Sequence, residues 1–368
     1  MTWLILLTPM QVFYGNDENA KAKLVDDVRE CCLHNGFFQI VGHRVPSEVQ
    51  NDVLKSLKSF FSLPQAEKEK VHKGTISTGF FQLSQNVNDR SDNTTWNRGY
   101  ENLGSQILEA GANPDQKEGY YVGEEITKDH PYFLGKKLNS GLNQWPEGFA
   151  DAELFRRASM EYYTHLHALA RDVLSVVAQT LYLDADYFSA FTDGAVATLR
   201  YLHYPPQPKD SDEKLSRGIG AHTDFGSVTL LMQDEVDGLQ VWEKSTEEWL
   251  DVAPIKGAYV VNLGNMFMRW SNDRYISNLH RVINKSGKER YSVPFFYSGN
   301  PDYKIDCLPN CREEGAPAKY PPITVMECVG QSYRDSYGKA TAFKNSQKVV
   351  DTPAVPEDLP MAAREIAV

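Results

Sequence analysis

The sequence predicts an α+β protein with a mainly β core, a sandwich or barrel carrying flanking helices and an α/β N-terminal region. From Ala195 onward, short apolar runs alternate with turn residues, at 197–204, 220–224, 228–232, 239–242, 258–263, 278–283 and 291–297. Many short strands at that spacing argue against a doubly wound parallel sheet. Upstream, two stretches of helical periodicity flank one branched and aromatic run, and a long apolar stripe between residues 151 and 183 reads as a helix packed behind a sheet.

In chain order, MTWLILLTPM holds a short apolar run with no basic flank. It falls below the about twenty apolar residues that span a bilayer and makes a poor signal peptide, so it reads as a buried first strand. Over residues 16–34, Leu24, Val25, Val28 and Cys32 recur at helical spacing, and Asn35-Gly36 supplies the stop. Phe37-Phe38-Gln39-Ile40-Val41 reads as a strand, and Ser47 as the cap of a second helix with Val53, Leu54, Leu57, Phe60 and Phe61 inward. Residues 74–133 are rich in Gly, Asn, Asp and Tyr with little periodicity, and long irregular stretches inside compact domains are commonly functional. In the helix expected over 151–183, Phe155, Leu166, Leu169, Val173, Val177 and Leu181 trace the apolar stripe. His165 and His167, two apart, fall on different faces and are no ligand pair. Residues 234–238 read as a hairpin turn and Gly264-Asn265 as a tight one. Residues 344–368 turn polar and Pro-rich, as in a mobile tail.

The formal charge of −11 leaves no evident basic face to neutralise phosphates, so nucleic acid is not an expected partner. Five cysteines, an odd count unlike a disulfide framework, point to a reducing compartment, and the ending EIAV carries no retention or peroxisomal address. A cytoplasmic protein without a membrane partner is expected. Cys307 and Cys311 resemble half a zinc site but have no matching second pair.

The chemistry concentrates in GIGAHTDFGSVTLLM, residues 218–232. Side chains at i and i+2 of a strand share a face, so His222 and Asp224 can share one ion. Leu279-His280-Arg281-Val282 offers a third ligand on another strand-like segment. Ten residues beyond His280 stand Arg290 and Ser292, again an i, i+2 pair. Two neutral imidazoles and one carboxylate make the facial triad that holds Fe(II) and leaves open positions opposite. Each piece alone is uninformative; the conjunction on strand-like segments is what carries weight.

That conjunction resembles the Fe(II)- and 2-oxoglutarate-dependent dioxygenases, in the branch similar to isopenicillin N synthase, across about residues 15–340. The resemblance implies a double-stranded β-helix, or jelly roll, over residues 146–343 with its core at 194–301, a substrate-facing N-terminal region at 1–145 and a tail at 344–368. A 2-oxo acid chelating the iron leaves its far carboxylate needing a buried cation, and Arg290 suits that task through its fork, with Ser292 adding a hydroxyl. Tyr204 matches a family tyrosine at the cosubstrate, whereas Leu202 stands where many relatives place an asparagine. By the same resemblance Phe81, Arg98, Tyr100 and Tyr121 are candidates to face the substrate. Phe296, which shares the strand face of Arg290 and Ser292, and Phe225, which follows the ligand Asp, are further candidates to line the substrate pocket.

The implied reaction consumes dioxygen and 2-oxoglutarate, releases succinate and carbon dioxide, and hydroxylates, desaturates or cyclises a small organic substrate. Halogenating relatives lack the carboxylate that Asp224 supplies. The barrel looks similar to fungal small-molecule oxygenases, thymine dioxygenase-like and specialised-metabolite enzymes among them, acting as a monomer or weak homodimer. The alternatives are an iron oxidase of the same fold that does not use 2-oxoglutarate, a zinc hydrolase with the same three ligands, and a non-catalytic binding protein of that fold.

Overall fold

The computed structural model describes residues 6–73, 97–109, 111–207, 217–312 and 315–330. Two sheets face one another. The larger has eight strands in the order β1-β2-β10-β7-β12-β5-β4-β3, and the smaller has four, β6-β11-β8-β9. In sequence these are β1 (Leu7–Pro9), β2 (Phe37–Val41), β3 (Gly99–Glu101), β4 (Glu118–Val122), β5 (Val196–Tyr204), β6 (Ile219–His222), β7 (Val228–Gln233), β8 (Leu239–Glu243), β9 (Glu248–Asp251), β10 (Tyr259–Leu263), β11 (His280–Val282) and β12 (Arg290–Gly299). The strands are antiparallel throughout except that β1 runs parallel to β2. This mainly β core, a jelly roll, is the architecture expected.

Strand alternation sets the barrel's inside and outside. On β5, Tyr201 turns outward and donates to Ser159 Oγ of helix Ala152–Thr180 at 2.7 Å, so Thr198, Arg200, Leu202 and Tyr204 turn inward. On β12, Phe295 and Tyr297 meet Tyr163 and His167 of the same helix, with ring centroids 5.3 and 5.0 Å apart. Arg290, Ser292, Phe296 and Ser298 therefore face the interior. His167, which also sits in that helix, is thus a packing residue.

The N-terminal region does not form a separate core. β1 and β2 extend the large sheet through β10, while helices Glu18–His34 and Ser47–Phe61 pack on helix Ala152–Thr180. Asp17 caps the first helix by accepting from the Asn19 and Ala20 amides, and Gly36, at φ +71°, ends it. An aromatic knot locks these layers: Phe155, fully buried, lies 5.2 Å from Phe60, 5.0 Å from Tyr120 and 5.5 Å from Tyr201 between ring centroids.

Several expectations need correction. Residues 234–238 are no hairpin turn, because β7 belongs to the large sheet and β8 to the small one; the segment is a crossover between them. Gly264-Asn265 opens a short helix, Asn265–Trp270. Ser47 begins its helix, but Pro46 holds the cap position and no side-chain bond closes it. The stretch read as irregular contains β3 and β4, and the half-exposed β9 has no apolar run to announce it. The first strand spans only Leu7–Pro9, with Leu7 exposed. The 344–368 tail lies outside the described residues. No helix among the described residues is long and apolar enough to cross a membrane.

Replacing Phe155 by Ala removes the ring that joins two helices to the sheet, and is expected to cost about 3–5 kcal/mol of unfolding free energy in chemical denaturation. A loss under about 1 kcal/mol would mean the knot does not hold the layers together.

Candidate active site

The ligand trio converges where the two sheets face each other. His222 is the last residue of β6 and pairs directly across from His280, the first of β11, so their tilted rings lie 4.2 Å apart between centroids. Asp224 lies beyond the end of β6, in a turn. The expected shared strand face therefore covers His222 but not Asp224, whose approach is set by the turn itself. That turn is anchored from outside: the Asn265 amide donates to Asp224 O at 2.9 Å, and the Met266 amide to Gly226 O at 3.2 Å. Gly264 must be glycine, since a Cβ there would meet Gly226 O at 2.2 Å.

Hydrogen bonds orient every ligand atom. Asp224 Oδ2 accepts from Asn262 Nδ2 and from Thr229 Oγ1, each at 2.6 Å. Oδ1 is left facing His222 Nε2 at 3.8 Å and His280 Nε2 at 3.7 Å. The Nδ1 atoms of His222 and His280 meet the carbonyls of Gly220 (2.8 Å) and Asn278 (3.3 Å), and a carbonyl only accepts, so each Nδ1 carries the hydrogen and each Nε2 presents a lone pair. Burial, followed by the neighbouring His280, pushes the His222 pKa down to about 3. For Asp224 burial acts upward, but the two imidazoles and the Asn262 and Thr229 bonds outweigh it and hold the carboxyl below its usual range. Both groups thus rest in the protonation state that a cation requires. Among the described residues His222, Asp224 and His280 are the group of potential ligands able to surround one ion, all three ligand atoms lying within 4.8 Å of one another.

The strand bearing His222 is an edge, closed by a loop instead of a neighbour. The Gly220 amide donates to Asp115 Oδ1 at 2.9 Å, and the Ala221 amide to Glu109 Oε2 at 2.8 Å, with Arg217 paired to Glu109.

Arg290 lies deeper, at the start of β12 and opposite Tyr204. It is fully buried. Its Nε donates to Val236 O (3.2 Å) and Nη2 to Gln233 Oε1 (2.7 Å), while Nη1 has no acceptor among the described residues. Tyr204 lies under the guanidinium at 4.9 Å from its ring centroid, and Ser292 Oγ donates to Tyr204 Oη at 3.4 Å. Burial raises the Tyr204 pKa, so the phenol keeps its proton. A buried guanidinium with an idle N–H, beside a hydroxyl and a phenol, fits the far carboxylate of a bound 2-oxo acid. Leu202 packs in the apolar cluster with Tyr204 and contributes no polar group.

Beside His222 and Asp224 opens a cavity of about 560 Å³ of empty space, part of it open to solvent. Its lining includes Gln106, Tyr121, Arg200, Phe225, Phe296 and Ser298. Tyr121 and Phe296 of the expected substrate residues are thus brought to it. Tyr100 turns the other way, its hydroxyl to Gln65 and Glu118 and its ring towards Phe60. Arg98 is buried in the loop layer, donating to Asn97 O at 3.0 Å and Asn139 O at 2.8 Å. Phe81 lies outside the described residues. Sequence reasoning misses Asn262, Thr229, Gln106 and Arg200. A charged residue inside the buried run VATLRYLHY, and a lone amide in YVVNL, are the signals that flag Arg200 and Asn262.

A jelly roll with a two-histidine, one-carboxylate centre between its sheets is the arrangement of a non-haem iron oxygenase. The comparisons with known proteins agree. The chain belongs to the 2OG-Fe(II) oxygenase superfamily, which its residues 195–299 match, and residues 7–78 and 74–148 match the N-terminal region of the non-haem dioxygenases in morphine synthesis. It is 57% identical to the 2-oxoglutarate-Fe(II) type oxidoreductase hxnY of Emericella nidulans, over 90% of each chain. It is 40% identical to the 2-oxoglutarate-dependent dioxygenase citB of Monascus ruber, over 79% of this chain and 84% of the other. Its fold matches a full-length Neurospora crassa protein whose crystal structure holds alpha-KG and 5-formyluracil, with TM-score 0.74 and 27% identity over 89% of this chain and 95% of that one. The family uses Fe(II), 2-oxoglutarate and dioxygen, and the protein is a 2-oxoglutarate-dependent oxidoreductase.

Thr229→Val keeps the side chain's shape and removes one of two donors that aim Asp224. It is expected to weaken Fe(II) or Mn(II) binding about tenfold to a hundredfold in an anaerobic titration. An unchanged dissociation constant would show that Asn262 alone suffices.

Proposed function

We propose that His222, Asp224 and His280 hold the iron and that Arg290, with Ser292 and Tyr204, holds the far carboxylate of 2-oxoglutarate, while a small organic substrate sits in the adjoining cavity. The carrying observation is the division of labour on Asp224: one oxygen is tied to two neutral donors and the other faces two imidazole lone pairs. When bound, iron with 2-oxoglutarate and dioxygen supplies the oxidation of a C–H bond, with succinate and carbon dioxide as co-products.

The chain's residues do the rest. The two carbonyl bonds to Nδ1 fix how both imidazoles are turned, with Nε2 towards Asp224. Arg290 sits at the opposite end of β12 from the cavity-lining Phe296 and Ser298, which separates the cosubstrate's charged end from the substrate. Phe225, Phe296 and Tyr121 give the cavity apolar walls that exclude water around the reacting carbon. Hydroxylation, desaturation and ring closure are all open to such a site. That the same Neurospora crassa protein is known in complex with alpha-KG and thymine supports a small ring-sized substrate. We also infer a monomer or weak homodimer acting in the cytoplasm, a reading supported by five free thiols.

The test is succinate formation from 2-oxoglutarate by protein loaded with Fe(II). His222→Ala or Asp224→Ala is expected to abolish it, and Arg290→Ala to raise the 2-oxoglutarate requirement roughly tenfold to a hundredfold. Full turnover in His222→Ala would refute the assignment. Substrate oxidation without succinate would favour an oxidase.

A further inference from the structure

We propose that the substrate carries a carbonyl oxygen and that Gln106 recognises it, donating from the N–H₂ end of its side-chain amide on the cavity wall. This rests on the reading of that cavity as the oxidation site.

Gln106 is held at both its backbone and its side chain. Its backbone carbonyl accepts from the Asp115 amide at 2.9 Å, and its Oε1 accepts from Lys117 Nζ and from Arg200 Nη2, both at 2.8 Å. An ammonium and a guanidinium can only donate, so the atom they meet is the oxygen. Reversing the amide would turn its N–H₂ against two cations. Lys117 is itself buried, with Glu101 at 3.8 Å and Asp115 at 3.9 Å. Burial, followed by the neighbouring Arg200, pushes its pKa down to about 8, so at neutral pH it stays an ammonium and keeps the amide oriented.

The nitrogen end is the unused one. Gln106 is buried and lines the cavity, and its Nε2 donates to no atom among the described residues. A buried donor without an acceptor has lost the bond it made in water, and a ligand that supplies an acceptor restores it. Oε1 is already taken by two donors, so at this residue the wall offers hydrogens and accepts none. Arg200, beside it on the lining, is a donor as well and adds no acceptor. A carbonyl oxygen accepts and brings no hydrogen of its own, whereas a hydroxyl or an amine brings a hydrogen that Gln106 cannot receive. Ser298, buried on the inward face of β12, lines the same cavity with a hydroxyl that bonds nothing among the described residues. A hydroxyl adapts to donors and acceptors alike, so the selection falls to Gln106. Leu108, Phe225 and Phe296 supply apolar wall for the carbon skeleton that bears the carbonyl.

The experiment uses acetophenone and α-methylstyrene, which share one shape and differ in C=O against C=CH₂. Calorimetry measures the binding of each, under nitrogen, to protein loaded with Fe(II) and 2-oxoglutarate. The visible absorption of the iron–2-oxoglutarate complex serves as an independent readout. Gln106→Met is expected to weaken acetophenone binding about tenfold while leaving α-methylstyrene within about twofold of its original affinity. Comparing each probe with itself across variants cancels the difference in their hydrophobicity. Gln106→Glu keeps the side chain's shape and gives Lys117 and Arg200 a carboxylate to pair with, but it has no amide hydrogen. It should show the same split, and it covers the case in which Gln106→Met fails to fold. Equal losses for the two probes, undiminished acetophenone binding in Gln106→Glu, or no measurable acetophenone binding to the unaltered protein overturns the carbonyl inference while the absorption band stands. Absence of the band itself would overturn the oxygenase reading, and this inference with it.

Discussion

Asp224 Oδ1, buried and facing two imidazole nitrogens, is the contact on which the structure depends. Its partner oxygen is held by Thr229 from β7 and Asn262 from β10, adjacent strands of the large sheet, whereas both histidines come from the small sheet. The carboxylate is therefore held by the large sheet and turned towards two side chains of the small one. A charge in that position is costly to bury unless it is met, and no hydrogen-bond donor among the described residues meets Oδ1. A dication bound among the three atoms would supply what is missing.

Strand parity distributes the rest of the polar chemistry. Along β5 and β12 every second residue enters the interior, and the two strands pair with Arg290 opposite Tyr204 and Phe296 opposite Thr198. One end of this ladder is a buried pocket with a guanidinium, a phenol and a hydroxyl. The other opens on a cavity with Arg200, Phe296 and Ser298. Two buried arginines thus mark the two ends of the site, and the ligand trio lies towards the open one. Residues 102–109 and 111–117 join these parts, capping the edge of the His222 strand through Asp115 and Glu109 while Gln106 Oε1 accepts from both Arg200 and Lys117.

The parts of this arrangement differ in how plainly the sequence announces them. His222, Asp224, His280, Arg290 and Ser292 are readable because a facial triad admits few residue types and because short apolar runs mark the strands that bring them together. Asp224 itself reaches the two histidines from a turn, and nothing local in HTDFG distinguishes that from a continuing strand; the difference comes from Gly264 and its neighbours, forty residues on. Tyr100 and Tyr121 are alike in sequence, yet one packs outward on Phe60 and the other enters the cavity. Their faces follow from the β3–β4–β5 register, and strands embedded in a Gly- and Asn-rich stretch give that register no apolar signature. Asn262, Thr229 and Gln106 act through partners remote in the chain, so only the folded structure reveals what they hold.

The most direct test of the central claim is equilibrium unfolding of the protein in the absence of oxygen, with and without Fe(II). A buried carboxylate and two preset imidazoles that complete their charge balance with one ion predict stabilisation that grows with the logarithm of iron concentration above the dissociation constant, at one iron per chain. Unfolding indifferent to Fe(II) at every concentration, with no iron retained after gel filtration, would contradict it.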